Sequence, residues 1–309
     1  MNIDFLNCQQ QFIFPKFKTK KQKFLKFLFP YFPLKWKYST QLIVLLAVLI
    51  SFRLITQIFS LPIGPVLRLS VTWIPTSLIG WFFGPILGIP IGILMDSLTF
   101  FWSGGIWYWM YAIQEPLITC LAGIIAGIYN IRKEYKNSIW DYLLFQTIVI
   151  LFTISSILIL LNFASSKFDD ASLNFLGLNH IDTVLLTISC ISIFFIISEI
   201  IIHTLLRYKT LYQKQFILFI YTTLLGVLLS IIFSFILGTI AAINFYKYFV
   251  SNDNSYSKNF LVYGSYYYLI PRVIKETFKM PLIVVNLIPL IRMTNSYMLR
   301  IQQMSHQKW

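Results

Sequence analysis

Residues 70–101 read SVTWIPTSLIGWFFGPILGIPIGILMDSLTFF, and Asp96 is the one charged side chain among them. Lipid offers no partner to a backbone N–H or C=O, so an apolar run of about 20 residues crosses a bilayer as a helix. This run is longer than one straight crossing needs. The pair Gly84-Pro85 divides it into 70–83 and 85–101, and Pro85 and Pro90 both oppose a single straight helix. It reads as two tight spans or one broken helix. Within it Gly80, Gly84, Gly88, Gly92 and Asp96 recur every four residues. Four residues advance a helix by about 400°, so the glycines form a slowly rotating stripe. Small stripes let membrane helices approach closely, but packing does not account for a carboxylate at the end of the stripe.

Outward from this stretch the same texture continues. Apolar segments recur at 40–61, 109–129, 139–162, 182–206, 216–245 and 268–291. The chain has 309 residues, of which 57% are hydrophobic and 12% charged. A soluble domain of that size has too little polar surface to face water. The expected fold is an all-α, polytopic transmembrane helical bundle. Three parts are expected: a basic aromatic segment 1–38, a transmembrane domain 39–292, and a tail 293–309.

The net charge of +14 lies in short stretches between the apolar runs. A nucleic-acid binder would gather it on one soluble face, so no nucleic-acid partner is expected. Lys16, Lys18, Lys20, Lys21, Lys23, Lys26, Lys35 and Lys37 alternate with Phe and Leu before the first span. This segment lacks the uninterrupted apolar core of a signal peptide. It reads as a basic tail, or as a segment lying on an inner leaflet with Trp36 in the interface. With the N-terminus inside, eight crossings put Arg132, Lys133, Lys136, Arg207, Lys209, Lys214, Arg292, Arg300 and Lys308 on the cytoplasmic side, as the positive-inside rule requires. Both termini are then cytoplasmic, in a bacterial cell membrane.

Chemistry-bearing motifs are sparse. Cys8, Cys120 and Cys190 are scattered, and no GxxxxGK[ST], HExxH or GxSxG is present. No metal, cofactor or catalytic residue is expected, and the chain reads as a non-enzyme. The informative residues are the charges inside the apolar runs, each of which costs roughly 2.5–3.5 kcal/mol to insert. Arg53, Asp96 and Glu115 all fall about one third of the way in from the outer face when the runs are aligned. They are expected to form one polar pocket, a structural salt bridge, or both. Glu199 and His203, four residues apart, read as a local pair. Phe100, Phe101, Trp102, Trp107, Tyr108, Trp109 and Tyr111 surround an outer turn with Gly104-Gly105 at its tip, and Tyr263, Tyr266, Tyr267 and Tyr268 precede the last span. They form an interfacial belt or a stacking rim for a flat ligand.

Three stretches carry a family resemblance: Leu67-Arg68-Leu69-Ser70-Val71-Thr72-Trp73-Ile74-Pro75; Leu78 to Pro85 followed by Gly88, Gly92 and Asp96; and Tyr268-Leu269-Ile270-Pro271-Arg272-Val273-Ile274-Lys275. They resemble the S-components of energy-coupling-factor (ECF) vitamin transporters, and within these the folate-specific group. The resemblance implies a six-helix core over about 40–130 and 216–292, with 139–206 as an insertion of two helices. It implies a subunit that binds a vitamin, folate first, at the outer face. Release inside would follow docking on a transmembrane T-component driven by two ABC ATPase subunits. Arg68, Arg272 and Lys275 would then pair with ligand carboxylates. Trp73, Trp107 and Tyr267 would stack on its ring, and Asp96, Gln114 and Glu115 would hydrogen-bond it. Ala47 and Ser51 match the small partner-docking positions of the first helix, and Arg53 lies about 200° round the helix from Ser51. The alternatives are an S-component for another vitamin such as pantothenate, a stand-alone proton-coupled transporter using Asp96 or Glu115, and a structural membrane protein.

Overall fold

A computed structural model describes residues 24, 27–29, 39–59, 61–63, 67–104, 106–132, 139–165, 180–207, 209–249 and 265–307. The elements are α1 (Ser39–Ile58), strands β1 (Leu61–Ile63) and β2 (Leu67–Leu69), α2 (Trp73–Ser103), α3 (Trp109–Ala112), α4 (Gln114–Arg132), α5 (Ile139–Ser165), α6 (His180–Arg207) and α7 (Lys209–Leu228). A π-helical segment (Leu229–Gly238) continues α7 into α8 (Thr239–Phe249), and α9 (Tyr266–Gln307) ends the chain. The fold is a helical membrane bundle. Among the described residues six helices are long and apolar enough to cross a membrane. The helix α9 is not one of them, because buried charges interrupt its first half. The strands pair antiparallel, with Pro62 opposite Arg68.

The stretch 70–101 resolves into a helical hairpin within α2. Gly84 adopts φ 80° and ψ 175°, a conformation that only glycine takes readily, and Pro85 opens the second limb with no N–H to lose. The packing against α4 shows the reversal. A Cβ placed on Gly80 would overlap the Thr119 carbonyl oxygen, and a Cβ on Gly88 would lie 3.2 Å from the same atom. Residues eight apart on a straight helix stand about 12 Å apart, so the two limbs run in opposite directions on either side of Thr119. Gly123 meets Gly84 and Pro85 at the tip, and Gly92 meets Pro116. The Thr119 hydroxyl donates to the Gly88 carbonyl at 2.7 Å. The glycine stripe is therefore a packing seam that holds α4 in the groove between two limbs, and the reading of 70–101 as a tight pair stands over that of a single broken span.

The first limb, Trp73 to Phe83, is only about 16 Å long. Above it the chain is strand, so the bundle has one short helical wall at the end where Arg53, Glu115 and Trp107 lie. Phe82, Met95, Ile118, Ile217, Leu225 and Leu287 pack in the core beside it. The helices α5 and α6 lean on the other flank through Phe152, Val184 and Ile191, which join Phe235, Val273 and Met280 in a second apolar cluster. Phe27 packs against Gly127 near the opposite end, where Tyr129 feels the charge of Arg292. Phe27 and Arg292 thus lie toward the same end of the bundle.

Candidate functional site

Arg53, on α1, is 6% exposed and donates from Nε to Glu115 Oε1 of α4 at 3.1 Å, with a second, shorter bond from Nη2. Its Nη1 donates to Gln57 Oε1 at 2.9 Å, and the Thr76 hydroxyl of α2 lies 2.8 Å from Glu115 Oε2. Three helices thus close a polar knot in an apolar setting. Both carboxylate oxygens have partners, as a buried charge requires. Asp96 lies at the edge of this knot. Its carboxylate accepts from the Trp107 indole and is within electrostatic reach of Glu115 and Arg53. The three intramembrane charges aligned by depth in the sequence therefore do come together.

A second polar group faces the knot from α9. Arg272, Glu276 and Lys279 stand at i, i+4 and i+7, which is one helix face, and all three are buried. Glu276 is fully buried, accepts from Ser230 of the π-helical segment at 3.1 Å, and lies 3.5 Å and 3.8 Å from the Lys275 and Lys279 ammonium groups. Those two distances make ion pairs and not hydrogen bonds, so Glu276 Oε1 has no hydrogen-bond partner. The Lys279 ammonium sits 3.3 Å from the centroid of the Trp73 ring, a cation–π contact, and Glu115 also acts on it. Arg272 donates to the Tyr268 carbonyl at 3.2 Å and to the Tyr111 hydroxyl, tying α9 to α3. The site therefore joins Arg53, Arg272, Lys275 and Lys279 with two buried carboxylates, Glu115 and Glu276.

The aromatic rim lies over this end. Tyr108 packs edge-on to Phe245 of α8 at 5.6 Å and to Tyr111 at 5.8 Å, so the turn is knit to the bundle at its base. Gly104 has φ 65°, and Phe101, Trp102, Trp107 and Trp109 are exposed around it, as interfacial aromatics are.

Several expectations change. Trp73 has one ring face taken by the Lys279 ammonium, so stacking on a ligand is left to its other face. Glu199 accepts from Gln146 of α5 at 2.8 Å, so its partner comes from the neighbouring helix and not from His203, which faces outward. Gln114 has its amide nitrogen buried without a partner beside Glu115. Ala47 and Ser51 lie on the exposed face of α1, opposite Arg53. The side chains of Arg68 and Tyr267, and Tyr263 and Gly105 altogether, lie outside the described residues.

Sequence reasoning missed Glu276 and Lys279, although a charge within 268–291 was the signal that picked out Arg53. It also missed Thr76, whose polarity is ordinary. At the opposite end it missed a bidentate pair, in which Arg132 donates to Asp141 at 3.0 Å and 3.1 Å and Tyr221 donates to the same carboxylate at 2.9 Å.

Relatives share most of this chain. It is 37% identical over 270 residues to the uncharacterized protein MG313 of Mycoplasma genitalium, which covers 85% of this chain and 93% of the relative. The chain belongs to the MG313 family. The MG313 homolog of Mycoplasma pneumoniae, also uncharacterized, is 33% identical over 288 residues, or 91% of this chain and 99% of the relative. A match of that length is too long to leave out helices α5 and α6, so the pair is part of the body that the MG313 family shares. No family model and no solved structure matches the chain.

Proposed function

We propose that the protein is the substrate-capturing membrane subunit of an ECF-type importer. It takes a planar, anionic vitamin, folate first, and delivers it inward after docking on a T-component and two ABC ATPase subunits. The observation that carries this reading is the surplus of cation in the site. Among the described residues, the buried Arg53, Arg272 and Lys279 and the part-buried Lys275 meet two carboxylates, Glu115 and Glu276, with Asp96 half-buried at the edge. Buried cations in surplus call for an anion, and a ligand that carries carboxylates supplies it. In this reading Trp107 and Tyr111 of the aromatic rim offer ring faces to a heterocycle. The exposed small residues Ala47 and Ser51 give α1 a smooth outer face for a partner helix. In this reading both termini are cytoplasmic, in the cell membrane.

A proton-coupled carrier fits less well. Such a carrier needs a carboxylate free to exchange its proton; Glu115 is saturated by Arg53 and Thr76, which leaves the half-buried Asp96 as the site that reading would use. The test is equilibrium binding by the purified chain in detergent or nanodiscs. Saturable binding of folate at micromolar concentration or below is expected. No binding of folate removes the folate assignment, and a panel that includes pantothenate then decides the vitamin. Uptake by cells or vesicles that persists without ATP and partner subunits would remove the ECF assignment.

A further inference from the structure

The π-helical segment Leu229–Gly238 and Thr239, the residue that follows it, hold two unused hydroxyls. Elsewhere on the same strand of helix the hydroxyls bond back to their own turn: Thr222 to Leu218, Thr223 to Phe219 and Ser230 to Gly226. The Ser234 and Thr239 hydroxyls are buried and make no such bond. Inside a membrane bundle an unpaired hydroxyl is destabilising, and π-helical turns gather at functional sites.

The packing register says what the two hydroxyls face. Gly226 lies against Met280 and Val284, Ser230 bonds Glu276, and a Cβ on Gly238 would stand 3.2 Å from Arg272 Nε. The segment therefore runs antiparallel to α9, and Ser234 falls level with the stretch from Arg272 to Glu276. With i→i+5 bonding, residues four and five apart share a face. Ser234, Gly238 and Thr239 thus form one stripe alongside Arg272, and Gly238 lets the guanidinium approach the backbone. Glu276, accepting from Ser230, holds Lys275 and Lys279 at the deep end of the same seam.

We infer that this seam is a carboxylate subsite. The Ser234 and Thr239 hydroxyls and the Arg272 guanidinium are its donors, and Glu276 is the internal counter-ion that keeps the two lysines in place. The inference rests on the capture reading above and assigns the ligand's acidic end to the π-helical seam, while the ring lies toward the aromatic rim. A hydroxyl that donates to a charged oxygen contributes to affinity, so losing two of them costs at least about tenfold.

The test uses the full chain in nanodiscs, with folate and a pterin that lacks the glutamyl carboxylates as probes, each titrated with and without chloride. The variant Ser234→Ala/Thr239→Val should bind folate at least about tenfold more weakly and the carboxylate-free pterin as well as the parent does, with a melting temperature no lower than the parent's. Thr239→Ser, which keeps the hydroxyl, should recover part of the loss. Parent-like folate affinity in the double variant overturns the subsite while leaving the capture reading intact. So does an equal loss for both probes. If chloride weakens the carboxylate-free pterin as strongly as folate, the anion acts on ring binding and not at the seam, and the assignment also falls. A parent chain that binds no folate removes the folate assignment itself.

Discussion

Glu115 serves two neighbours with two oxygens, taking two bonds from Arg53 and one from Thr76, so the knot turns on this one side chain. Glu115→Gln keeps the shape and one acceptor but leaves the Arg53 guanidinium buried without a counter-charge. Breaking a buried pair from one side costs roughly 3–5 kcal/mol, so a large drop in melting temperature is expected. Thr76→Val removes one hydrogen bond to the same carboxylate and should cost only about 1–2 kcal/mol. Thermal unfolding in detergent, followed by circular dichroism, measures both. Equal, small effects would mean that the knot is wetter than its burial implies. Arg53 and Glu115 were legible in the sequence because a charge inside an apolar run is rare. Thr76 was not, because a threonine in a membrane helix usually bonds its own backbone, and Thr76 also lies 2.9 Å from the Thr72 carbonyl.

The α2 hairpin depends on one backbone conformation and one groove. Gly84→Ala places a side chain at φ 80°, which costs about 1–2 kcal/mol in the left-handed region. The same change should leave the limbs helical but open the tip, because Gly123 touches Gly84 and Pro85 there. The expected outcome is a lower melting temperature, with a new solvent-accessible thiol when Cys120 on α4 is probed with maleimide. An unchanged melt and an unreactive Cys120 would show that the tip tolerates the side chain. The sequence marked this break through Gly84-Pro85, yet it could not choose between a kink and a reversal. That choice needed Thr119 to be within reach of both Gly80 and Gly88, a relation between residues some thirty to forty positions apart.

At the scale of the whole molecule, one polar point fastens α5 to the core and a second fastens α6 to α5. Asp141, 3% exposed, takes bonds from Arg132 of α4 and Tyr221 of α7, so one carboxylate ties the α5 end to two core helices. Gln146 then links α5 to Glu199 of α6. Asp141→Ala leaves Arg132, which is partly exposed, to be satisfied by water and headgroups. The expected effect is therefore on the placement of the pair more than on core stability. Limited proteolysis in nanodiscs should cut the 133–138 connection faster, and ligand affinity at the opposite end should stay the same. A loss of ligand affinity would mean that the pair shapes the site. The shared length of the MG313 family members gives this pair the same standing as the core.

Composition and spacing alone determined that this chain lives in lipid, where its turning points lie, and that Arg53, Asp96 and Glu115 share a depth. Those are consequences of local physics: apolar length, the cost of a buried charge and the geometry of one helix at a time. The tertiary structure decided which charges are partners. It gave Trp73 to Lys279, Glu199 to Gln146 and Glu276 to Ser230, and it left Ser234 and Thr239 without bonds. Pairing depends on the rotation and register of helices against one another, and helix packing sets these through many small contacts that no single run of sequence contains.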